Sequence, residues 1–129
     1  MGYSSALEYM TLMYSLLGSP RTIEDLVQYA KGKRIPAISI KTSVTSEENV
    51  LVRYVANLEF NAGKKVVRQK RVYESGFSSP LANIELDTHF DAAYKAAVAK
   101  ALEQADYLES QGLKATINNK QPSEIRAER

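Results

Sequence analysis

The 129-residue chain contains no cysteine and no tryptophan, and it has a single histidine. The absence of cysteine excludes disulfides, thiolate metal sites and cysteine nucleophiles, and it is typical of a protein from a reducing compartment. No run approaches the roughly 18 apolar residues of a membrane-spanning helix, and the apolar start lacks the basic segment of a secretory signal. We therefore expect a cytoplasmic protein that does not associate with membranes.

Recognisable catalytic and cofactor motifs are also lacking. The sequence has no phosphate-binding loop, dinucleotide fingerprint, nucleophile elbow or zinc-protease motif. The only suggestive cluster is Asp87, His89 and Asp91, which places an imidazole near two carboxylates, as a metal or acid–base site would require. Acidic residues at the start of a helix are more often capping groups. We predict a protein without enzymatic activity, with no catalytic residue, no metal and no cofactor.

The positive charge of the chain is concentrated in its middle. The net charge is only +2, yet residues 31–73 hold ten Lys and Arg against three Glu, a local +7. Part of this excess, at Lys31, Lys33 and Arg34, has an ordinary explanation, because cations are favoured at the C-terminal end of a helix. The remaining excess indicates a surface for a polyanion.

Helical periodicity occurs in three places. An N-terminal helix runs from a capping box at Ser5 to Leu17 and is apolar most of the way round, so it is either buried or docked on a partner. A second helix begins after Thr22, and a long helix begins at Asp87 or Thr88 and ends at Gly112. The candidate partner interface on the N-terminal helix comprises Tyr9, Met10, Met13, Tyr14 and Leu17.

Between these helices the period changes to two, which predicts strands. Ile38–Val44 and Val50–Phe60 alternate, and Asn61-Ala62-Gly63 predicts a tight turn into a third strand, Lys64–Tyr73. Leu81–Leu86 and Leu113–Ile117 are weaker candidates. We predict an α+β fold with an antiparallel sheet of three to five strands, packed by a long C-terminal helix and two N-terminal helices. Residues 1–117 form one domain, and residues 118–129 a polar, flexible tail.

The third predicted strand carries the candidate functional site. Its basic residues occupy both faces, which excludes a central position in a buried sheet and is consistent with simple protection of an edge. Five cations exceed that need, and basic side chains on the two preceding strands extend the strip, with an aromatic ring to stack on a base. The candidate nucleic-acid-binding residues are Lys41, Arg53, Lys64, Lys65, Arg68, Lys70, Arg71 and Tyr73.

The order α-β-β-β-α resembles the double-stranded-RNA-binding domain in topology, with Thr22–Lys31 and Thr88–Ser110 as its helices. That family opens its second helix with a lysine cluster that binds phosphates. Here the corresponding stretch is Thr88-His89-Phe90-Asp91-Ala92, which is acidic. The difference argues against duplex RNA as the ligand.

The sequence therefore predicts a non-enzymatic nucleic-acid-binding protein that uses a basic hairpin, with single-stranded DNA or RNA favoured over duplex. The alternative is an oligomeric assembly or adaptor subunit that docks through its apolar N-terminal helix, as a homodimer or in a larger protein complex.

Overall fold

The computed structural model describes residues 20–128, which form an α+β fold with one long helix, two short helices and four strands. The elements are α1 Ile23–Gly32, β1 Ala37–Glu48, β2 Val52–Ala62, β3 Lys65–Glu74, α2 Asn83–Ser110, β4 Lys114–Ile117 and α3 Pro122–Ala127. The predicted N-terminal helix, with Tyr9, Met10, Met13, Tyr14 and Leu17, lies outside the described residues. No helix within residues 20–128 is long and apolar enough to cross a membrane.

The strands form one mixed sheet in the order β3-β2-β1-β4. The predicted β2–β3 hairpin is confirmed, and β1 pairs with β2 antiparallel as well. The expectation of a fully antiparallel sheet is wrong at β4, which pairs parallel to β1 with Ala37 opposite Lys114. The long helix α2 is the cause, because it returns the chain to the end of the sheet where β1 begins, and β4 then runs in the same direction as β1.

Helices α1 and α2 cover one face of the sheet, the inner face. Its strand side chains include Ile38, Ile40, Leu58 and Phe60, each 1% exposed or less. Small residues on α2 let the helix lie close to these side chains, and the core-facing members are Ala93, Ala97, Ala101 and Ala105, all fully buried. The alanine-rich stripe of the sequence is therefore the contact surface between the helix and the sheet.

The start of α2 differs from the sequence prediction. The helix begins at Asn83, so Leu81–Leu86 is not a strand, and Ala82 at the N-cap makes no side-chain hydrogen bond. Thr88, predicted as a candidate cap, lies inside the helix, where its hydroxyl donates to the Ile84 carbonyl four residues earlier at 2.9 Å. A side-chain hydroxyl can serve either role, and the sequence pattern does not distinguish them.

The segment predicted as a flexible tail contains α3. Gln121 and Glu124 form a capping box, and Pro122 occupies the first turn, where its missing N–H costs nothing. Ile125 is 8% exposed and joins the main core. One apolar side chain in a polar segment is too weak a signal for a helix in the sequence, and the packing of Ile125 decides the structure.

Candidate nucleic-acid interface

The structure divides the predicted binding residues between the two faces of the sheet. Pairing of Arg68 with Phe60 and of Lys70 with Leu58 places both cations on the inner face, beside the helices. Arg71 pairs with Asn57 and therefore lies on the outer face, opposite the helices. Arg53 and Lys41 also lie on the outer face, because they alternate with the inner-face residues of their strands. Arg53 pairs there with Glu47, and Lys41 pairs with Glu59.

Two register shifts in β3 account for this division. Phe60 pairs with Arg68 but Asn61 pairs with Val66, so Val67 has no partner on β2. Val72 also has no partner, because it lies between Arg71 and Tyr73, which pair with consecutive residues of β2. Each bulge breaks the two-residue period and turns a valine toward the inner face, where Val67 is 4% exposed. The two bulges explain why the residues of β3 do not alternate regularly. β3 is an edge strand, one of the two positions that its charge on both faces allowed, the other being a strand with one basic face in water.

The arginines of the outer face are paired with carboxylates. Arg53 contacts Glu47 at 2.7 Å and Glu74 at 2.9 Å, and Arg71 contacts the same two carboxylates at 2.9 and 3.0 Å. The hydrogen bond from Arg53, aided by the charge of Arg71, lowers the pKa of the Glu47 carboxyl. This four-residue cluster has no net charge, and Arg53 also lies over the Phe77 ring, 4.7 Å from its centroid.

Arg68 connects β3 to the start of α1. Its guanidinium donates to the carbonyl of Arg21 and lies 5.9 Å from the centroid of the Phe60 ring. Burial lowers the pKa of Arg68, and the charges of Glu24 and Asp25 in the first turn of α1 oppose that effect. Arg68 thus has a packing role in the described structure.

The other predicted residues are dispersed. Tyr73 is half-buried on the inner face against the cluster of Ala56, Ala93 and Ala97. Lys41 and Lys70 are exposed on opposite faces of the sheet, whereas Lys64 and Lys65 are exposed at the β2–β3 turn. The eight residues therefore do not form one continuous strip along the hairpin.

A different group of cations comes together at one end of the sheet, where β1 and β4 begin and the β2–β3 turn lies. The ammonium groups of Lys33 and Lys65 each lie 5.9 Å from the centroid of the Tyr29 ring. Lys31, Arg34 and Lys64 lie beside them in the chain, and the start of β4 contributes Lys114, whose N–H bonds to the Pro36 carbonyl. We call this surface the basic end: Lys31, Lys33, Arg34, Lys64, Lys65 and Lys114.

The basic end is free of carboxylate partners among residues 20–128. All six side chains are exposed, and none takes part in the ion pairs that these residues form. The sequence pattern favoured the helix dipole as the explanation of Lys31, Lys33 and Arg34. The spacing of four residues between Tyr29 and Lys33 was the signal in the sequence for a contact between their side chains. The contact between Lys65 and the Tyr29 ring arises only when the chain folds.

The backbone at the basic end is unusual. Arg34 has a φ of 57°, in the left-handed region that favours glycine. The Ile35 N–H donates to the Ala30 carbonyl at 2.8 Å, and the Arg34 N–H donates to the Lys31 carbonyl at 3.2 Å. These two bonds form a Schellman motif that ends α1, and the conformation places an arginine where the motif prefers glycine.

The Asp87–His89–Asp91 cluster does not form a metal site. His89 Nε2 lies 2.7 Å from the Ser78 hydroxyl, which links α2 to the loop after β3. Between residues 20 and 128, no group of three His, Cys, Asp or Glu side chains is arranged to hold a metal ion.

Comparisons of the chain with protein families, with curated proteins and with solved structures find no match. The function must therefore be argued from the geometry of the chain itself.

Proposed function

We propose that this protein binds single-stranded nucleic acid, without catalysing a reaction, at the basic end. The observation that supports the proposal most directly is Tyr29, whose half-buried ring has two lysine ammonium groups, those of Lys33 and Lys65, each 5.9 Å from its centroid. An aromatic ring stacks on an unpaired base while adjacent cations contact the flanking phosphates. Single strands expose the faces of their bases, and duplexes do not, so this arrangement favours single-stranded ligands.

The strained arginine adds support to the proposal. A residue other than glycine in the left-handed region costs about 1 kcal/mol or more, and such residues cluster at functional sites. Arg34 combines this conformation with an exposed charge beside Lys33. A contact between the Arg34 guanidinium and a phosphate would explain why arginine occupies a position that favours glycine.

The ion pairs of the outer face modify the interface predicted from sequence. Arg53 and Arg71 would have to release Glu47 and Glu74 before contacting phosphates, and Arg68 would have to leave the Arg21 carbonyl. Lys64 and Lys65 belong to both the predicted hairpin surface and the basic end. Lysines of the hairpin turn therefore remain part of the proposed interface. The other cations of the hairpin are replaced by Lys31, Lys33 and Arg34, at the end of α1, and by Lys114.

The test is a fluorescence anisotropy titration of a labelled single-stranded oligonucleotide with the full chain. Combined substitution Lys33→Gln, Lys64→Gln and Lys65→Gln should weaken binding at least about tenfold at low salt, because three phosphate contacts are lost. The matched control, Lys41→Gln with Lys70→Gln and Lys100→Gln, removes the same charge elsewhere and should change affinity little. Equal weakening by both variants would mean that only net charge matters and would reject the basic end as a site.

The contribution of Tyr29 is tested separately. Tyr29→Leu should weaken binding to single strands about tenfold, since stacking on one base contributes about 1–3 kcal/mol. Tyr29→Phe keeps the ring and should bind like the natural chain. Unfolding by urea, followed for both variants, distinguishes a lost stacking contact from a damaged core. Unchanged binding by a folded Tyr29→Leu variant would exclude stacking on this ring.

A further inference from the structure

A cleft of about 510 Å³ lies on the edge of the sheet opposite β3, between α2, the end of β4 and α3. Its floor is apolar and comprises Val98, Ile117 and Ile125. Ile117 is fully buried, and Ile125 is 8% exposed. The volume is within the range of about 300–1,000 Å³ that small-molecule sites occupy, and such sites combine apolar side chains with placed polar groups, here Tyr94, Lys95, Asn118, Lys120 and Glu128.

The wall of the cleft formed by the turn after β4 is held rigidly. The Asn118 amide oxygen accepts from the Thr42 N–H at 3.0 Å, and its amide nitrogen donates to the Thr42 hydroxyl at 2.9 Å. Ile117 and Lys120 exchange two backbone hydrogen bonds of 2.8 and 2.9 Å. Asn118 and Asn119 both adopt left-handed conformations, with φ of 50° and 66°. A turn fixed in this way needs little rearrangement to accept a ligand.

The residues that line the cleft include two lysines and one glutamate. Lys95, on α2, forms no ion pair within residues 20–128, whereas the ammonium of Lys120 lies 2.7 Å from a carboxylate oxygen of Glu128. Tyr94, 51% exposed, adds a phenol beside them. The residues that line the cleft thus carry one net positive charge. The hydrogen bond to Glu128 raises the pKa of Lys120, and Glu124, outside the lining, adds a carboxylate charge that acts on Lys120 in the same direction. An apolar floor below a cationic rim is complementary to a molecule with an apolar body and one anionic group.

We propose that this cleft binds an amphipathic anion, an aliphatic or aromatic carboxylate of small-molecule size. The apolar body packs against Val98, Ile117 and Ile125, and the carboxylate accepts hydrogen bonds from Lys95 and Lys120. Glu128 competes with the ligand for Lys120 and so weakens binding. The site shares no residue with the basic end, and it stands or fails independently of the proposed function.

The experiment is a titration of the isotopically labelled full chain with decanoate, followed in two-dimensional ¹H–¹⁵N correlation spectra. The amides of Val98, Ile117 and Ile125 should shift and saturate, whereas those of Tyr29 and Lys65 should not move. Decanol, which has a similar chain without the charge, should bind more weakly by up to about fivefold, the loss expected for one exposed ion pair. Equal binding of decanol would overturn the anionic specificity, and no saturable shift with decanoate would overturn the site.

Three exposed substitutions sharpen the assignment. Lys95→Gln should weaken decanoate binding up to about fivefold, and Glu128→Gln should strengthen it, because Lys120 then has no internal competitor. Lys100→Gln lies on the same helix outside the cleft and should leave the affinity unchanged. A Glu128→Gln variant that binds decanoate more weakly than the natural chain would contradict the proposed role of Lys120.

Discussion

At the scale of single residues, the backbone conformation of Arg34 is the main point of strain near the candidate site. Its φ of 57° is imposed by the two hydrogen bonds that end α1, and an L side chain in that region meets its own backbone. Gly63 and Gly112, with φ of 65° and 89°, occupy similar conformations without this penalty. If Arg34 contacts a phosphate as proposed, stability and binding are opposed at this position, since glycine, the residue best suited to the turn, lacks the charge.

Substitution Arg34→Gly should raise the free energy of unfolding by about 1 kcal/mol, since it relieves the left-handed conformation. Equilibrium unfolding in urea measures the change. Arg34→Ala removes the same charge but keeps the Cβ, so it should give no comparable gain. If both variants were equally stabilised, charge repulsion at the basic end, and not strain, would be the cause.

A second residue-scale effect concerns the acid stability of the outer face. The pKa of Glu47 is lowered from its ordinary value of 4.5, chiefly by its hydrogen bond from Arg53. A carboxylate whose pKa is lowered by folding stabilises the folded state above its unfolded pKa, and this contribution is lost as pH falls through the lowered value.

We therefore expect Glu47→Gln to reduce stability at neutral pH, and the difference from the natural chain to vanish in acid, once the pH falls below the lowered pKa of Glu47. Urea unfolding midpoints across a pH series from neutral to acidic give the measurement. Glu48→Gln, at the adjacent position outside the ion-pair cluster, is the matched control. A difference for Glu47→Gln that persisted at the acidic end of the series would show that it arises from packing.

At the scale of secondary-structure elements, the short helix α3 has an importance out of proportion to its length. It contributes Ile125 to the core and forms one wall of the cleft. Arg126 connects it to α2 through an ion pair with Asp106 at 2.5 Å. Exposed ion pairs contribute at most about 1 kcal/mol, so the buried isoleucine is the main anchor of α3.

The substitution Ile125→Ala should lower the free energy of unfolding by about 2 kcal/mol, the lower end of the range for buried isoleucine, because α3 is short and lies at the periphery. Ile84→Ala removes the same atoms from a side chain that is 84% exposed and should change stability by less than about 0.5 kcal/mol. Thermal and urea unfolding both measure these values. Equal, small effects would mean that α3 does not pack on the core in solution.

At the scale of the whole molecule, the described chain has two oppositely charged ends. The basic end lies where β1 and β4 begin. At the other end, the termini of β1 and β3 and the start of α2 contribute six acidic residues: Glu47, Glu48, Glu74, Glu85, Asp87 and Asp91. Of the cations, Arg53 and Arg71 lie at the acidic end. Such separation orients the molecule in the field of a polyanion, with the basic end foremost.

The charge separation predicts a measurable salt dependence. If each of the six basic-end cations neutralises one phosphate of a single strand, the logarithm of the binding constant should fall with the logarithm of salt concentration at a slope of about −4. The triple variant at Lys33, Lys64 and Lys65 should halve that slope to about −2. Anisotropy titrations at salt concentrations between about 50 and 200 mM supply the data. The same slope for both proteins would show that these lysines do not contact phosphates.

The local elements follow from the amino-acid sequence, because the signals that specify them come from neighbouring residues. Thr22 caps α1 with a 3.0 Å bond to the Asp25 N–H, the alternation of β1 and β2 fits their inner and outer faces, and Gly63 makes the hairpin turn. The α+β class follows from the same patterns.

Which charged side chains remain available to a ligand depends on contacts between residues that are distant in the chain. Glu47 and Arg71 are far apart in the chain, and strand pairing brings them within 2.9 Å, so a stretch that is basic in sequence is neutral on the outer face. The same pairing carries Lys65 to Tyr29 and forms the basic end. Helix α2 returns the chain to the end of the sheet where β1 begins, so β4 pairs parallel to β1. The packing of the buried Ile125 side chain on the core holds α3 against the sheet and α2. Contacts between distant residues have no periodic signature in the sequence, and they determine the site.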